Sequence, residues 1–488
     1  MSNSNLEARR LITEKCLIAA DVDKTVLAQG HNRERQQFLE NIAPQLLRAA
    51  SYGTNLAFLT GNSMHELSSR FLKWLIDQLC HTDHLELLDR FHFFCNSGGV
   101  YARFSHEDKA FRKILNQRNT NGKFKDKLFH AVIVPSGKGN EYTIRPNFID
   151  DAYIERSMIP EDDVAKIKSI LEDVARDYFE ELKAEQSTNE KIYHLSMVCD
   201  NTGFIVPHAD IRAVCYCSAS SVKQATVQIT LKPVLSFNHA IEQKEVIGRD
   251  ERIKRIQTIQ AKLDEKGLNH YIARPGGKSS IDVTLEKLDK AYALEFLIDR
   301  LNLQGQPRRG QKLGYNTIYF GDEVLAGAGN DYAVTRIPGL LVFAVNPDKS
   351  LIPFLSHIFV PSAILEGTDA TAGVLSHFND CALRLLNNFD YMVKANKQSE
   401  LKTALEVLKE EIFAARIREK IADLKHTHHT SVDDWQTLHA FVTLMCRDDP
   451  AARQWLSLLI NELDAIMTQL ATNTTSLQPA IGTSHPDW

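Results

Sequence analysis

The hydrophobic positions of the first hundred residues form short runs that have no polar face. These runs cover residues 16–20, 55–59 and 91–95. Runs that are apolar on both faces are typical of strands in the middle of a parallel sheet. Between the first two runs, apolar residues recur at helical spacing, at Phe38, Ile42, Leu46 and Leu47. The pattern therefore predicts strands that alternate with helices.

The pattern changes between residues 105 and 274, where the strands become amphipathic. Residues 225–232 alternate between apolar and polar side chains, which indicates an antiparallel strand with one solvated face. The same region carries two charged helical segments, at about 161–186 and 251–266. We interpret residues 105–274 as an inserted α+β domain, which we call the cap.

Apolar strands resume after the insertion, near residues 317–321, 340–345 and 357–360. The predicted fold class is α/β, with a doubly wound (Rossmann-like) parallel-sheet core interrupted by the cap. The amphipathic segments that follow predict a C-terminal helical extension. The predicted organisation is a core at 1–104 and 275–375, the cap at 105–274, the extension at 376–470 and a disordered tail at 471–488.

Two carboxylates follow directly on the first strand, at Asp21 and Asp23. Side chains alternate along a strand, so these two acids can point the same way. Neighbouring carboxylates favour a bound cation or a shared proton, and both suit metal-assisted chemistry in which one acid attacks and the other transfers protons. Taken alone, the pair is better explained by a strand that ends in an Asx turn, and only the residues downstream reverse that preference.

Polar residues also follow two other strands and open one helix. Thr60, Gly61 and Asn62 end the second strand, where a hydroxyl and backbone N–H groups suit an anion. The alternative is a helix cap at Asn62 or Ser63, with Glu66 as its reciprocal acid. The remaining candidates are Asp322 and Asp331, near a later strand end, and the helical residue Lys290.

The ends of parallel strands meet at one edge of a sheet, so these groups are expected to converge. Carboxylate oxygens suit Mg²⁺, whereas a hydroxyl and an ammonium suit phosphoryl oxygens. The combination therefore predicts a phosphoryl-transfer site.

Over about residues 15–375, this set resembles the haloacid dehalogenase superfamily. The four matching segments are Asp21-Val22-Asp23-Lys24-Thr25, Thr60-Gly61-Asn62, Lys290, and Gly321-Asp322 with Gly329-Asn330-Asp331. The resemblance implies that Asp21 is the nucleophile, which becomes an aspartyl-phosphate, and that Asp23 is the general acid/base. It further implies that phosphate is bound by Thr60, Gly61, Asn62 and Lys290, and Mg²⁺ by Asp21, Asp23, Asp322 and Asp331.

Lys24 departs from this family pattern, because glycine usually stands at its position. Glycine tolerates a positive φ, so a lysine there implies strain or a different turn.

The cap is similar to that of the branch that contains phosphomannomutase and the sugar-phosphate phosphatases. Residues 276–283, with Asp289 and Lys290, look most like phosphomannomutase. We expect cap residues to recognise the substrate, with Lys278, Arg274 and Arg145 as candidates. The favoured reading is a Mg²⁺-dependent phosphatase acting on a small phosphorylated metabolite, a sugar phosphate. The alternatives are a phosphohexomutase and a binding protein that works through its helical extension.

Composition narrows the expected partners of this 488-residue chain. The formal net charge is −5 and no long run of one sign occurs, so nucleic acid and anionic membranes are not expected. The sequence contains no 18-residue apolar segment, and its first residues lack a signal-peptide core, so we expect a cytoplasmic protein. The eight cysteines lack C-x-x-C spacing, as is typical of buried free thiols. The helical extension either mediates dimerisation or partner docking, or packs on the core.

Overall fold

The computed structural model describes most of the chain. The described residues are 8–9, 11–28, 31–118, 132–135, 142–145, 148–188, 197–199, 205–207, 209–217, 224–233, 249–276, 280–303, 316–324, 331–337, 340–345, 358–359, 367–395, 403–426, 432, 435–436, 438–440, 442–443 and 450–475.

The first part of the core alternates strands and helices, as the apolar runs predicted. Its elements are β1 (Leu17–Ala20), α1 (His31–Gln37), α2 (Ala43–Ser51), β2 (Asn55–Leu59), α3 (Met64–Leu67), α4 (Lys73–His81), β3 (Phe91–Cys95) and β4 (Val100–Arg103). Two π-helical turns, Phe38–Ile42 and Ser68–Leu72, join α1 to α2 and α3 to α4. Short 3₁₀ turns cover Leu85–Arg90 and Asn96–Gly98.

In the described parts of the inserted region, twelve elements follow. They are α5 (Lys109–Arg118), β5 (Ile133–Pro135), β6 (Tyr142–Ile144), α6 (Asp151–Ser157), α7 (Glu161–Thr188), β7 (Met197–Cys199), β8 (Ile205–Pro207), β9 (Ala209–Cys217), β10 (Gln224–Pro233), α8 (Arg249–Glu265), β11 (Tyr271–Gly276) and β12 (Ser280–Leu285).

The chain then returns to the core and ends in long helices. The elements are α9 (Lys290–Arg300), β13 (Thr317–Gly321), a 3₁₀ turn (Tyr332–Arg336), β14 (Leu341–Ala344), β15 (Ile358–Phe359), α10 (Gly367–Lys394), α11 (Ala404–His426) and α12 (Pro450–Thr475).

The core sheet has seven strands in the order β15-β14-β13-β1-β2-β3-β4. All neighbouring pairs are parallel except β3 with β4. The chain runs outward from β1 on one side and later returns on the other, so the strand order reverses at β1. This arrangement confirms the predicted doubly wound fold, in which ligands bind outside the carboxyl ends of the strands at such a reversal.

The register of the central strands brings their carboxyl ends together. Ala20, the last residue of β1, is aligned with Phe58 of β2 and Phe320 of β13. Asp21, Thr60 and Asp322 therefore leave the sheet at nearly the same level. This level is set by long-range pairing between strands far apart in the sequence.

The cap contains a four-stranded antiparallel sheet in the order β11-β12-β10-β9. Helices α7 and α8 cover one face of this sheet through an apolar cluster that includes Ile170, Leu171, Ile229, Ile259 and Val283. The antiparallel strand predicted at residues 225–232 is β10, but its polar face is not solvated, because Gln228 is 3% and Thr230 9% exposed. Because β11 and β12 belong to this sheet, the cap continues to Leu285, beyond the predicted boundary at residue 274.

Helix α10 packs on the core rather than starting a separate region. Asn379 Nδ2 donates to the Gln45 carbonyl at 3.0 Å, and Arg48 Nη2 lies 2.7 Å from Asp380 Oδ1. The predicted start of the extension at residue 376 therefore falls inside a helix of the first compact unit, which spans Met1–Thr403.

The second compact unit spans Ala404–Trp488. Within it, α11 and α12 share an apolar cluster that includes Ile417, Ile421, Trp435, Leu456 and Leu459. Of the predicted tail, residues 471–475 form the end of α12, and residues 476–488 lie outside the described residues. In the described parts of the chain, no helix is long and apolar enough to cross a membrane.

Candidate active site

Asp21 and Asp23 lie on a tight turn at the end of β1. The Asp21 amide donates to the Phe320 carbonyl at 2.9 Å and so continues the pairing with β13. The turn closes where the amides of Val26 and Leu27 donate to the Val22 carbonyl, at 3.0 and 2.8 Å. The sequence allows Asp21 and Asp23 to share one face of a strand. The turn separates them instead, so that the two carboxylates have different neighbours.

Three carboxylates gather on the inner side of this turn. Among the described residues, Asp21, Asp322 and Asp331 each place an oxygen within 4.8 Å of the others. Asp331 is fully buried, and the Tyr319 hydroxyl donates to its Oδ1 at 2.7 Å. A Cβ atom at Gly321 would lie 2.6 Å from Asp331 Oδ2, so only glycine allows this approach. We call Asp21, Asp322 and Asp331 the inner cluster.

Lys290 joins the inner cluster from the first position of α9. Its ammonium, 1% exposed, lies 2.6 Å from Asp21 Oδ1 and 2.5 Å from Asp331 Oδ1. Asp289 caps the helix by accepting from the Tyr292 amide at 2.8 Å. Gly98, at φ 90°, allows the start of α9 to pack closely, because a Cβ there would lie 2.7 Å from the Asp289 carbonyl oxygen.

Burial and mutual repulsion raise the pKa of two members of the inner cluster. Burial raises the pKa of Asp21 well above its usual range. Lys290 opposes this rise, while Asp331 and Asp322 add to it. Burial and then Asp331 raise the pKa of Asp322. Burial by itself would lower the pKa of Lys290, but Asp21 and Asp331 outweigh it and hold that pKa above the usual value. When all three carboxyl groups are ionised, the cluster has more negative charges than Lys290 can balance.

The inner cluster fits a hard divalent cation. Three carboxylates supply the oxygen ligands that Mg²⁺ prefers, and the ammonium of Lys290 lies against only two of them, Asp21 and Asp331. Asp21, Asp322 and Asp331 are thus brought together as expected. Asp23 was also predicted as a metal ligand, but its carboxylate lies outside this group. Other side chains hold it away from the three acids of the inner cluster.

Asp23 is held by a hydrogen bond and an ion pair. Asn62 Nδ2 donates to Asp23 Oδ2 at 2.6 Å, and Arg70 Nη1 lies 3.1 Å from Asp23 Oδ1. Arg70 also pairs with Glu34, whose side chain is 2% exposed. The side chain of Asp23 is 39% exposed and therefore open to solvent and to a substrate.

Sequence reasoning missed Arg70. It lies in the π-helical turn Ser68–Leu72, and such turns are frequent at functional sites. Since the helical periodicity of residues 64–81 shows no irregularity at this point, we find no sequence signal that would have identified it.

Thr60 lies at the same edge of the sheet, at the end of β2. It is 2% exposed, and its Oγ1 accepts from the Asn62 amide at 3.1 Å. A hydroxyl that accepts one hydrogen bond can still donate its own hydrogen to an anion. The predicted helix cap is also present, because Ser63 and Glu66 form a reciprocal capping box. The two interpretations of this segment are compatible, and Gly61 lies in the bend between them.

Lys24 has a backbone φ of 58°, in the left-handed region. The positive φ expected from the family position is therefore present, although the residue is not glycine. Its Nζ lies 2.8 Å from Asp322 Oδ2 and 3.9 Å from Glu323 Oε1. This contact with the inner cluster was not predicted.

Three cap residues were predicted to recognise the substrate. The Arg274 guanidinium donates to the carbonyls of Leu288 and, at 2.7 Å, Glu286, so it ties β11 to the segment before α9. Arg145 is exposed beyond β6. Lys278 lies outside the described residues. Substrate contact by Arg145, Lys278 or Arg274 stays a prediction, and the bonds of Arg274 additionally hold the backbone before α9.

No family model and no curated protein sequence matches this chain. Among solved structures, it is similar to the IMP-nucleotidase of Plasmodium falciparum, with 14% identity over 70% of this chain and 69% of the other, and a TM-score of 0.39. The sucrose-phosphatase of a Synechocystis species shows 11% identity over 77% and 98%, with a TM-score of 0.35. A haloacid dehalogenase-like hydrolase protein of Bacillus subtilis shows 12% identity over 75% and 92%, with a TM-score of 0.33.

Proposed function

We propose that this chain is a Mg²⁺-dependent phosphatase of the haloacid dehalogenase superfamily that hydrolyses a small phosphorylated metabolite. One observation carries the proposal. Asp21 lies beside a buried lysine within a cluster of carboxylates, whereas Asp23, two residues later, lies in a solvent-accessible polar environment. Two acids in unlike environments suit a nucleophile and a proton carrier.

In the first step, a carboxylate oxygen of Asp21 attacks the phosphorus of the substrate. The bond between phosphorus and the ester oxygen breaks, and Asp23 donates its proton to that leaving oxygen. Phosphorus is then covalently attached to Asp21.

In the second step, Asp23 takes a proton from a water molecule, whose oxygen attacks the same phosphorus. The bond between Asp21 and phosphorus breaks, so inorganic phosphate and both original carboxyl groups are recovered. Asn62 and Arg70 orient Asp23 for both transfers.

Charge at the phosphoryl oxygens is offset by groups at the strand ends. Lys290 supplies a buried positive charge beside Asp21, and Thr60 supplies a hydroxyl donor at the end of the neighbouring strand. Mg²⁺ held by Asp21, Asp322 and Asp331 would supply further positive charge there. Such fixed charges act most strongly in a buried site.

We further propose that the substrate is a sugar phosphate. The inserted cap and its resemblance to the caps of sugar-phosphate phosphatases support this choice. On β10, Gln228 and Thr230 alternate with the apolar residues that pack under α7 and α8. Gln228 Nε2 donates to Thr230 Oγ1, and Thr230 Oγ1 donates to Asp282 Oδ1, both at 2.8 Å. These side chains are 3%, 9% and 4% exposed for Gln228, Thr230 and Asp282, so the network gives the cap sheet a polar but buried face, and the choice of a sugar phosphate rests on the cap resemblance.

The deciding experiment is a screen of the purified protein against a panel of phosphorylated metabolites, with and without Mg²⁺. Released inorganic phosphate and the organic product are both measured. We expect Mg²⁺-dependent phosphate release from one class of substrate, highest for sugar phosphates. Transfer of the phosphoryl group to another hydroxyl of the same sugar, without release, would instead establish the mutase alternative.

Two variants control this screen. Asp21→Asn should be inactive on every substrate, whereas Asp173→Asn, which removes the same charge from the exposed surface of α7, should retain full activity. Equal activity of the wild type and Asp21→Asn would show that Asp21 does not carry the measured hydrolysis, and the proposed mechanism would be wrong.

A further inference from the structure

Lys24 places a positive charge directly against one member of the inner cluster. Its Nζ lies 2.8 Å from Asp322 Oδ2, an ion-pair distance, and the Asp322 side chain is only 7% exposed. Asp322 is also one of the three carboxylates whose oxygens lie within 4.8 Å of one another. The same carboxylate is therefore available to a metal ion and in contact with an ammonium group.

The backbone conformation of Lys24, which places its side chain at this contact, is energetically unfavourable. Residues with a side chain seldom adopt a φ of 58°, and glycine or asparagine is the usual occupant of that conformation. The amide of Lys24 donates to the Leu27 carbonyl at 2.7 Å, so the turn holds the residue in this conformation. A strained backbone at a functional site suggests that the side chain placed there has a role.

A second acid lies within reach of the same ammonium. Glu323 Oε1 is 3.9 Å from Lys24 Nζ, and the Glu323 side chain is 49% exposed. The lysine side chain is long and flexible, so the ammonium can move from Asp322 toward Glu323 without losing an anionic partner. The Asp322 side chain is 7% exposed, whereas the Glu323 side chain is 49% exposed, so the two contacts differ in strength.

We propose that Lys24 is a built-in competitor of the metal ion at Asp322. A divalent cation bound by the inner cluster must displace the ammonium or bear its repulsion, and either effect weakens metal binding. The side chain then turns toward Glu323. The consequence is a site that fills only at a high free Mg²⁺ concentration, so that enzyme activity follows that concentration. This inference rests on the proposed function only in assigning Mg²⁺ to the inner cluster.

The test is the dissociation constant for Mg²⁺, measured by isothermal titration calorimetry without substrate. Lys24→Asn removes the charge and keeps a residue that tolerates the left-handed conformation. We expect this variant to bind Mg²⁺ about ten-fold more tightly than the wild type. Lys24→Arg keeps the charge and should bind within about three-fold of the wild type.

A matched control separates the local contact from net charge. Lys254→Asn removes one positive charge from the cap, where Lys254 Nζ lies 3.0 Å from Glu181 Oε2, and should leave the Mg²⁺ affinity unchanged. Glu323→Gln removes the second partner of Lys24 and should weaken Mg²⁺ binding in the wild type. It should have a smaller effect in the Lys24→Asn background.

Several results would overturn the inference. They are an affinity of Lys24→Asn within two-fold of the wild type, a weaker affinity, or no Mg²⁺ binding by either protein. Its failure is distinct from failure of the proposed function. Mg²⁺-dependent turnover with equal affinities would reject the role of Lys24 alone. Tighter binding by Lys24→Asn in a protein that hydrolyses no phosphate ester would reject the phosphatase alone.

Discussion

The strand-end site and the cap place their charged residues in opposite ways. In the inner cluster, like charges lie together, and burial and repulsion raise the pKa of Asp21 and Asp322. On the cap helices, Glu181 lies between two cations. Hydrogen bonds from Arg255 and Lys254 lower the pKa of Glu181 to about 2. The repulsion within the inner cluster destabilises the folded protein, whereas the ion pairs of Glu181 stabilise it.

The cap arrangement has the features of a stabilising contact. Arg255 is 3% exposed, its guanidinium lies 4.4 Å from the centre of the Tyr178 ring, and its Nε donates to Glu251 at 2.7 Å. Oppositely charged partners and a covering ring hold α7 against α8. The inner cluster also has cationic partners, Lys290 and Lys24, yet burial and repulsion still raise the pKa of Asp21 and Asp322. Such shifts are a feature that functional sites share. We therefore expect that removing a charge from the inner cluster changes activity, whereas removing one from the cap helices changes stability.

The largest effect is expected for Asp21→Asn. An amide of the same shape cannot attack phosphorus, so kcat should fall by about a thousand-fold or more while the fold is retained. Steady-state kinetics and thermal unfolding check both points. Activity within ten-fold of the wild type would reject the aspartyl-phosphate mechanism.

Removal of the metal should be nearly as severe. EDTA should reduce activity to background and Mg²⁺ should restore it, because the inner cluster has an excess of negative charge. Full activity in chelator would show that the cluster works without a cation.

Asp322→Asn tests whether a charge removed from the inner cluster affects stability differently from one removed from the cap. It should raise the Mg²⁺ concentration needed for activity. A carboxyl whose folded pKa is raised stabilises the protein only at low pH, and this contribution is lost as the pH rises through the raised pKa. At neutral pH in EDTA, the apparent Tm of this variant should therefore equal or exceed that of the wild type. A clear drop in Tm would mean that the ion pair with Lys24 outweighs the repulsion.

Asp23→Asn should have a smaller effect than Asp21→Asn. Loss of a general acid/base typically costs roughly a hundred- to ten-thousand-fold in rate. The loss should be greatest for substrates with a poor leaving group, which need the proton most. An unchanged rate with such a substrate would remove Asp23 from this role, and Asn62 and Arg70 would then hold it only for structure.

Lys278→Ala tests the division between core chemistry and cap recognition. We expect kcat/KM for the true substrate to fall about ten-fold or more, with little change for an aryl phosphate, which lacks the groups that a cap would contact. Lys262→Ala, which removes a cap lysine that pairs with Asp177 at 3.2 Å, serves as the control. Equal losses on both substrates would assign Lys278 to phosphate binding or to the fold.

The smallest effect is expected for Glu181→Gln. A depressed folded pKa stabilises the protein above the usual value of 4.5, and this contribution is lost as the pH falls toward 2. The apparent Tm at pH 7 should therefore fall by about 1–2 °C, because solvent screens this partly exposed pair. The difference should shrink below pH 4, and catalysis should not change. A Tm equal to the wild type at pH 7 would mean that the pair contributes no stability.

Local patterns in the sequence determined the strands, the cap insertion and most of the strand-end residues. The apolar runs at β1, β2 and β3 and the capping box at Ser63 and Glu66 depend on residues close in sequence, so they can be predicted from it. Convergence of Asp21, Thr60 and Asp322 could also be predicted, because the carboxyl ends of parallel strands share one edge of a sheet.

Tertiary structure alone decided how these groups are paired. Lys24 and Asp322 are 298 residues apart, and Lys290 and Asp21 are 269 apart, so their contacts depend on strand register and on the packing of α9. The π-helical turn that directs Arg70 toward Asp23 leaves no trace in the hydrophobic pattern, and neither does the packing of α10 on the core. Periodicity records which face of an element is buried. The partner that a charged side chain meets is set by distances between segments, which only the folded chain defines.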